Sequence, residues 1–261
     1  MTILKRNLNA FLPRMVDMID HENFPWAKIE CKFESEIEKR FRDKGDREYI
    51  TIEASIYDII ISVKSGKREH VGLLKYFNSL FTELSENLSE QEKTHVVSAV
   101  KNLLLTFDKR YLNFVGELAV LNQLKKTGNF NLHKHEFKLP NKKTIDFDLE
   151  ILEPNMRILL EVLNIHINEQ KVENDFDKIK GFFERRISDK IDSKKMNLQP
   201  DYNIHIIPVV WGSYEQLVIY RDFFKENSLD VDLAHEPLSF LMLSDGEDYY
   251  HFQFSPLSQL P

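Results

Sequence analysis

Over roughly the first hundred residues, apolar side chains recur every three or four positions, the spacing of helices. Leu8, Phe11, Leu12, Met15, Val16 and Ile19 have this spacing and predict one helix. A second helix is expected over 35–42. There Ser35 and Glu38 are placed as a capping box, in which the two side chains satisfy the first free backbone N–H groups. The isoleucine-rich segment 50–63 fits either helix or strand. Leu73, Leu74, Phe77, Leu80, Phe81 and Leu84 mark a helix over 70–88. Ser89 and Glu92 form another capping box, and the helix behind them is expected to run to about Phe107. No segment repeats at a fixed period.

From Lys109 the pattern changes. Residues 111–126 read as a helix ended by Gly128, since glycine readily takes the left-handed conformation that closes a helix. Segments 133–139, 144–152 and 156–167 are strand-like, and Glu153-Pro154-Asn155 joins the last two as a hairpin. A helix follows over 172–191, then a buried strand over 202–211 stopped by Gly212, then a helix over 213–227. Two final strands, 238–243 and 249–254, flank Ser244-Asp245-Gly246-Glu247, whose Asp-Gly pair signals a hairpin. The expected fold is α+β. A helical N-terminal region, 1–108, precedes an α-β-β-β-α-β core with a four-stranded mixed sheet. That core lies in the region 109–261, and the C-terminal hairpin extends or covers it. No Gly/Pro/Ser-rich linker marks the boundary near 108.

Composition narrows the class. With 261 residues and 42% apolar content, the chain can bury a core in one large or two small domains. The N-terminus has no apolar signal core, and runs such as 206–211 are far too short to span a bilayer. A soluble, cytoplasmic protein with no membrane partner is expected. The single cysteine, Cys31, excludes an internal disulfide framework or a cysteine-rich zinc site, and it reads as packing. A net charge of −7 removes any bulk-charge argument for nucleic-acid binding. An acidic metal site remains compatible with such binding, because a bound metal supplies positive charge. No glycine loop for phosphate is present. Lys194-Lys195 and Arg185-Arg186 sit near acids and read as solvated faces. His133, His135, His166 and His205 lack cysteine partners or metalloprotease spacing and read as ordinary strand histidines.

Three places carry acids where apolar residues dominate. On the 111–126 helix, Phe114, Val120, Leu121 and Leu124 lie within about 60° of Glu117, while Leu112, Val115 and Ala119 cover the opposite side. A carboxylate buried there needs a cation, a proton or a metal. In 145–151, strict alternation puts Asp146, Asp148 and Glu150 on one face; alone, this reads as the solvated face of an edge strand. Glu161 interrupts the run Ile158-Leu159-Leu160-Glu161-Val162-Leu163, which has the character of a central strand buried on both faces.

Together these residues resemble the PD-(D/E)XK nuclease superfamily, over residues 109–211. Gly116-Glu117-Leu118-Ala119 matches its first-helix glutamate, and Ile145-Asp146-Phe147-Asp148-Leu149 its second-strand aspartate. Leu159-Leu160-Glu161-Val162-Leu163-Asn164 matches its third-strand Glu-x-Lys. The resemblance implies a restriction-endonuclease-like core in which Glu117, Glu161 and either Asp148 or Asp146 bind Mg²⁺ or Mn²⁺. It also implies a lysine that orients the attacking water. Asp148 stands 13 positions before Glu161, a comfortable hairpin span. Asp146 stands 15 before it and needs a longer turn or a bulge, so Asp148 is preferred.

The lysine's place is taken by Leu163. A β-bulge would bring Asn164 onto the active face instead. Alternatively the lysine has moved to the next helix, where Lys180 lies about 40° from Phe176 and within about 60° of Phe183 and Ile187. Lys180 equally suits a stem bordering the core with its amine in water. The third explanation is a degenerate site that binds without cutting. The expected function is a metal-dependent nucleic-acid phosphodiesterase, a DNA endonuclease ahead of an RNA one. The alternative is an inactive nuclease-like module that binds nucleic acid or protein, and a third possibility is a purely structural salt-bridge role, which would place a lysine or arginine beside each acid. The N-terminal helices would supply target choice, a protein partner or homodimerisation. Such fusions occur in bacterial defence systems, which is analogy.

Overall fold

The computed structural model describes residues 2–20, 23–42, 55–68, 70–166, 175–198, 202–231, 236–244 and 250–260. Six helices come first: α1 (Ile3–Phe11), α2 (Pro13–Ile19), α3 (Trp26–Arg42), α4 (Ile56–Lys64), α5 (Val71–Asn87) and α6 (Glu90–Leu104). Then follow α7 (Tyr111–Lys126), β1 (Phe130–Lys138), β2 (Thr144–Ile151), β3 (Met156–His166), α8 (Phe176–Lys195), β4 (Ile204–Ser213), α9 (Tyr214–Glu226), β5 (Leu238–Ser244) and β6 (Tyr250–Pro256). The class is α+β, and the expected α-β-β-β-α-β order holds from α7 to β4. Among the described residues no helix is long and apolar enough to cross a membrane.

The chain divides into two compact units. One comprises residues 1–122; the other comprises Gln123–Leu243 with His251–Pro261, so the division falls within α7. In the first unit the buried helix faces include Leu8, Met15, Ile29, Phe77, Phe81, Leu84, Val96 and Leu103. Three helix boundaries differ from the sequence expectation. The helix expected over 8–19 is two, because Pro13 lacks an N–H and its ring clashes with the preceding turn, so it starts α2. The α3 helix begins at Trp26, which leaves Ser35 and Glu38 inside it and their capping-box spacing unused. The α6 helix stops at Leu104 rather than near Phe107, although its Ser89–Glu92 capping box forms as expected. The ambiguous 50–63 segment resolves as α4, started by a Ser55–Asp58 capping box. Residues 50–54 lie outside the described residues, as do 172–174 and the Asp245-Gly246 turn.

The second unit is built on one mixed sheet of six strands in the order β1-β2-β3-β4-β5-β6. The C-terminal strands therefore extend the expected four-stranded sheet. Pairing is antiparallel for β1–β2 and β2–β3, and parallel for β3–β4 and β4–β5. The α8 helix starts at an Asp175 cap and continues to Lys195, beyond the expected end near Ile191. Because β3 and β4 are parallel, α8 must return antiparallel to them. Its Ile179, Phe183 and Ile187 pack on Leu163, Ile165, Ile206 and Val210, with Leu217, Tyr220 and Phe223 from α9. Gly212 does not stop β4, which runs on to Ser213.

Candidate functional site

The β2 and β3 strands pair continuously from Ile151 opposite Met156 to Phe147 opposite Leu160. The same register carried one step further sets Asp146 opposite Glu161. There the ladder ends: β2 continues beside β1 to Thr144, while β3 continues beside β4 to His166. The strands fork, and the Asp146 side chain replaces the missing ladder bond, with Oδ2 accepting the Val162 N–H at 2.7 Å. The acid at the level of Glu161 is therefore Asp146, which corrects the preference for Asp148. Hairpin spacing did not discriminate, because the β2–β3 connection takes up the two extra positions without a change of register.

Asp148 lies opposite Leu159, one pleat away from the fork, and is 2% exposed. Its carboxylate is held by Arg157 in a bidentate pair, with Nε on Oδ1 at 2.6 Å and Nη2 on Oδ2. The guanidinium also lies over the Phe137 ring, 5.7 Å from its centroid. Hydrogen bonding to Asp148 raises the Arg157 pKa.

Glu161 sits mid-strand and is 2% exposed. Its Oε1 receives two ammonium groups from α8, Lys190 Nζ and Lys194 Nζ, each at 2.7 Å. Its Oε2 is buried and, among the described residues, has no hydrogen-bond partner. The two lysines follow Ile187 by three and seven positions, so they prolong the core-facing side of α8 past its apolar part. Lys194 Nζ also donates to the Thr144 carbonyl on β2. The end of α8 is fixed from the β1–β2 turn, where Asn141 Nδ2 donates to the carbonyls of Lys194 at 2.8 Å and Met196 at 2.9 Å. The site in this unit thus consists of Asp146, Glu161, Lys190 and Lys194, two negative charges against two positive.

The other sequence candidates lie elsewhere. Lys180 bonds Asp230 at 2.8 Å, with Glu184 at 3.8 Å, and that hydrogen bond raises its pKa. It is not the cation on Glu161. Asn164 is on the opposite sheet face, where its Oδ1 accepts the Trp211 indole N–H at 2.9 Å. No bulge turns it over, because the β3–β4 register is unbroken from Leu159 to His166. Leu163 shares the face of Glu161 and packs in the core under α8. Glu117 is half-buried on the part of α7 that belongs to the first unit, and it is not without a partner. His135 is buried 5.4 Å from the Phe147 ring, His166 stacks on Trp211 at 5.6 Å, and His133 lies 3.5 Å from Glu150. Cys31 is exposed, not packed.

Among the described residues, no group of three or more His, Cys, Asp or Glu side chains is placed to hold a metal ion. Magnesium does not require one. It keeps several waters and takes one or two carboxylates together with substrate phosphate oxygens. Asp146 and Glu161 suit it in donor type and number, and the orphaned Oε2 is an oxygen that a cation would satisfy. No protein-family model, curated protein or solved structure matches this chain.

Proposed function

We propose that the second unit is a divalent-metal-dependent phosphodiesterase acting on nucleic acid. Asp146 and Glu161 serve as its metal ligands, and lysines of α8 replace the lysine that the PD-(D/E)XK pattern places at Leu163. The observation that carries this reading is the Glu161 carboxylate. It is buried, has two lysines on one oxygen and, among the described residues, leaves the other oxygen without a hydrogen-bond partner. An ion pair present only to hold the fold would be better served by sharing its cations between both oxygens. A buried acceptor without a partner costs about 1–3 kcal/mol.

Mg²⁺ or Mn²⁺ bound there would lower the pKa of a water and stabilise charge on the phosphoryl oxygens. The protein's own groups fix positions. The Val162 amide orients Asp146, the Thr144 carbonyl orients Lys194, and Leu163 dries the floor beneath Glu161. Lys194 then places a permanent positive charge beside the acids, the task of the motif lysine. Two residues from the α8 end reach a site that one residue of β3 would otherwise serve.

The test is cleavage of single- and double-stranded DNA and RNA with Mg²⁺, Mn²⁺ or EDTA, using wild type, Asp146→Asn and Glu161→Gln. Metal-dependent cleavage lost in both variants is expected; cleavage unchanged by Glu161→Gln rejects the site. DNA is the expected substrate, by resemblance alone. A second reading, binding without cleavage, draws on the same two lysines, which already neutralise Glu161. It predicts nucleic-acid binding by wild type with no metal-dependent product.

A further inference from the structure

The two lysines on Glu161 are held differently. We propose that they divide the work: Lys194 is the fixed cation of the site, and Lys190 is a releasable counter-ion that competes with a divalent metal for Glu161. This rests on the reading of the site as a phosphodiesterase centre.

Lys194 is anchored along its length. Its ammonium contacts Glu161 and the Thr144 carbonyl, its own carbonyl is clamped by Asn141, and its side chain is only 14% exposed. Withdrawing it would leave the Thr144 carbonyl without that donor. Lys190 has 32% exposure and, among the described residues, Glu161 as its ion-pair partner, with no main-chain anchor. A lysine is a compact charge on a flexible four-carbon stem, and water replaces its partner at little cost when it is partly exposed. Both ammonium groups crowd Oε1. A dication approaching Glu161 therefore meets two like charges, and one of them can leave without breaking a second contact. At equal distance a dication attracts the carboxylate twice as strongly as an ammonium. Lys190 and the metal are thus alternative partners of one carboxylate. The lysine keeps Glu161 compensated until a metal ion takes it over.

The experiment measures Mn²⁺ binding to the full-length protein, from the electron paramagnetic resonance signal of free Mn²⁺, with thermal melts as a check on folding. Lys190→Met and Lys190→Gln are expected to bind Mn²⁺ about five-fold tighter than wild type, the scale of a partly exposed ion pair. Lys194→Met is expected to tighten binding less than the Lys190 variants do, because the metal must still displace Lys190 from Glu161. Lys195→Met, the same charge change at an exposed position of the same helix, is expected to match wild type. Unchanged affinity in both Lys190 variants, with Mn²⁺ bound by wild type and lost in Glu161→Gln, overturns the competition and leaves the metal site standing. Equal tightening in Lys195→Met overturns it as well, because bulk charge then explains the effect. If Glu161→Gln binds Mn²⁺ as wild type does, or nothing binds, the site reading and this proposal fall together.

Discussion

Lys194 meets Glu161 at 2.7 Å, whereas Lys180, on the same side of α8, is bonded to Asp230. The two lysines are 14 positions apart, almost a whole number of turns, so helical phase does not separate them. Axial height does, since 14 residues span about 21 Å. Because α8 runs back antiparallel to β3, its C-terminal end comes down beside Glu161 and its N-terminal end stands near the far end of the strand. Lys180→Ala should therefore leave the proposed nuclease activity and the melting temperature unchanged. Lys194→Met should lower kcat by about 100-fold, the usual scale for a positioned charge at the reacting phosphate. Equal activity losses in the two variants would contradict this assignment.

Much of this was legible in the chain. Periodicity found α5, the segments of α7 and α9 also read as helical, and the strand-like runs gave β2 and β3 nearly to the residue. Glu161 stood out because an acid inside Ile158–Leu163 needs a partner, and the structure supplies Lys190 and Lys194. Two features were not legible. The fork between β2 and β3 depends on which ladder bonds stop, and alternation along β2 places Asp146 and Asp148 on one face without ranking them. The lysines on Glu161 required the length of α8, since Lys190 and Lys194 lie at and beyond the end expected for that helix. The signal was present in the continued spacing Phe183-Ile187-Lys190-Lys194, a core-facing side on which apolar residues give way to lysines.

The two strand aspartates should separate by function. Asp146→Asn changes the group at the fork, and loss of its charge should abolish metal-dependent cleavage by at least about 100-fold. Folding should change by only about 1 kcal/mol, because the amide oxygen still accepts the Val162 N–H. Asp148→Asn should keep measurable kcat and instead lower stability. Parallel kinetics and urea unfolding on both variants check the assignment, and the reverse pattern would restore Asp148 to the site.

Arg157 is the outer half of a lopsided pair: its side chain is 62% exposed while Asp148 is 2% exposed. Removing the arginine leaves a buried carboxylate without its bidentate donor; removing the aspartate's charge loses the same pair but costs less, because the guanidinium it frees is already in water. Arg157→Met should cost about 1–3 kcal/mol, the scale of an unsatisfied buried acceptor and less than for a fully buried pair, because water reaches one side. Adding Asp148→Asn to Arg157→Met should recover part of that loss. A double-mutant cycle by urea unfolding measures the coupling, and strictly additive losses would refute it.

Asn141 links the β1–β2 turn to the end of α8 through two carbonyls. Asn141→Ala should cost about 1–2 kcal/mol for the two lost hydrogen bonds. It should also loosen Lys194, so kcat falls while substrate KM changes little. Asn141→Asp cannot donate and places a negative charge at the negative end of the helix dipole, so it should be worse than alanine. Steady-state kinetics with melting curves separate these effects. An alanine variant with normal kcat would show that α8 holds its lysines without the clamp.

His135 should give the fold a pH dependence of definite sign. The ring is buried on β1 against Phe147, and burial lowers its pKa below the ordinary 6.5, despite the opposing pull of Glu136 and Asp146. Below about pH 6.5 the unfolded chain takes a proton at this position that the folded chain resists. The unfolded state then binds more protons, so stability rises with pH in that range and is lost as pH falls through about 6.5. The loss stops only below the folded pKa. Its slope from one histidine cannot exceed about 1.4 kcal/mol per pH unit. His135→Gln is neutral at every pH and should show a shallower loss between pH 7 and pH 5. Urea unfolding of both proteins across that range is the measurement, and parallel curves would show that His135 is not the group responsible.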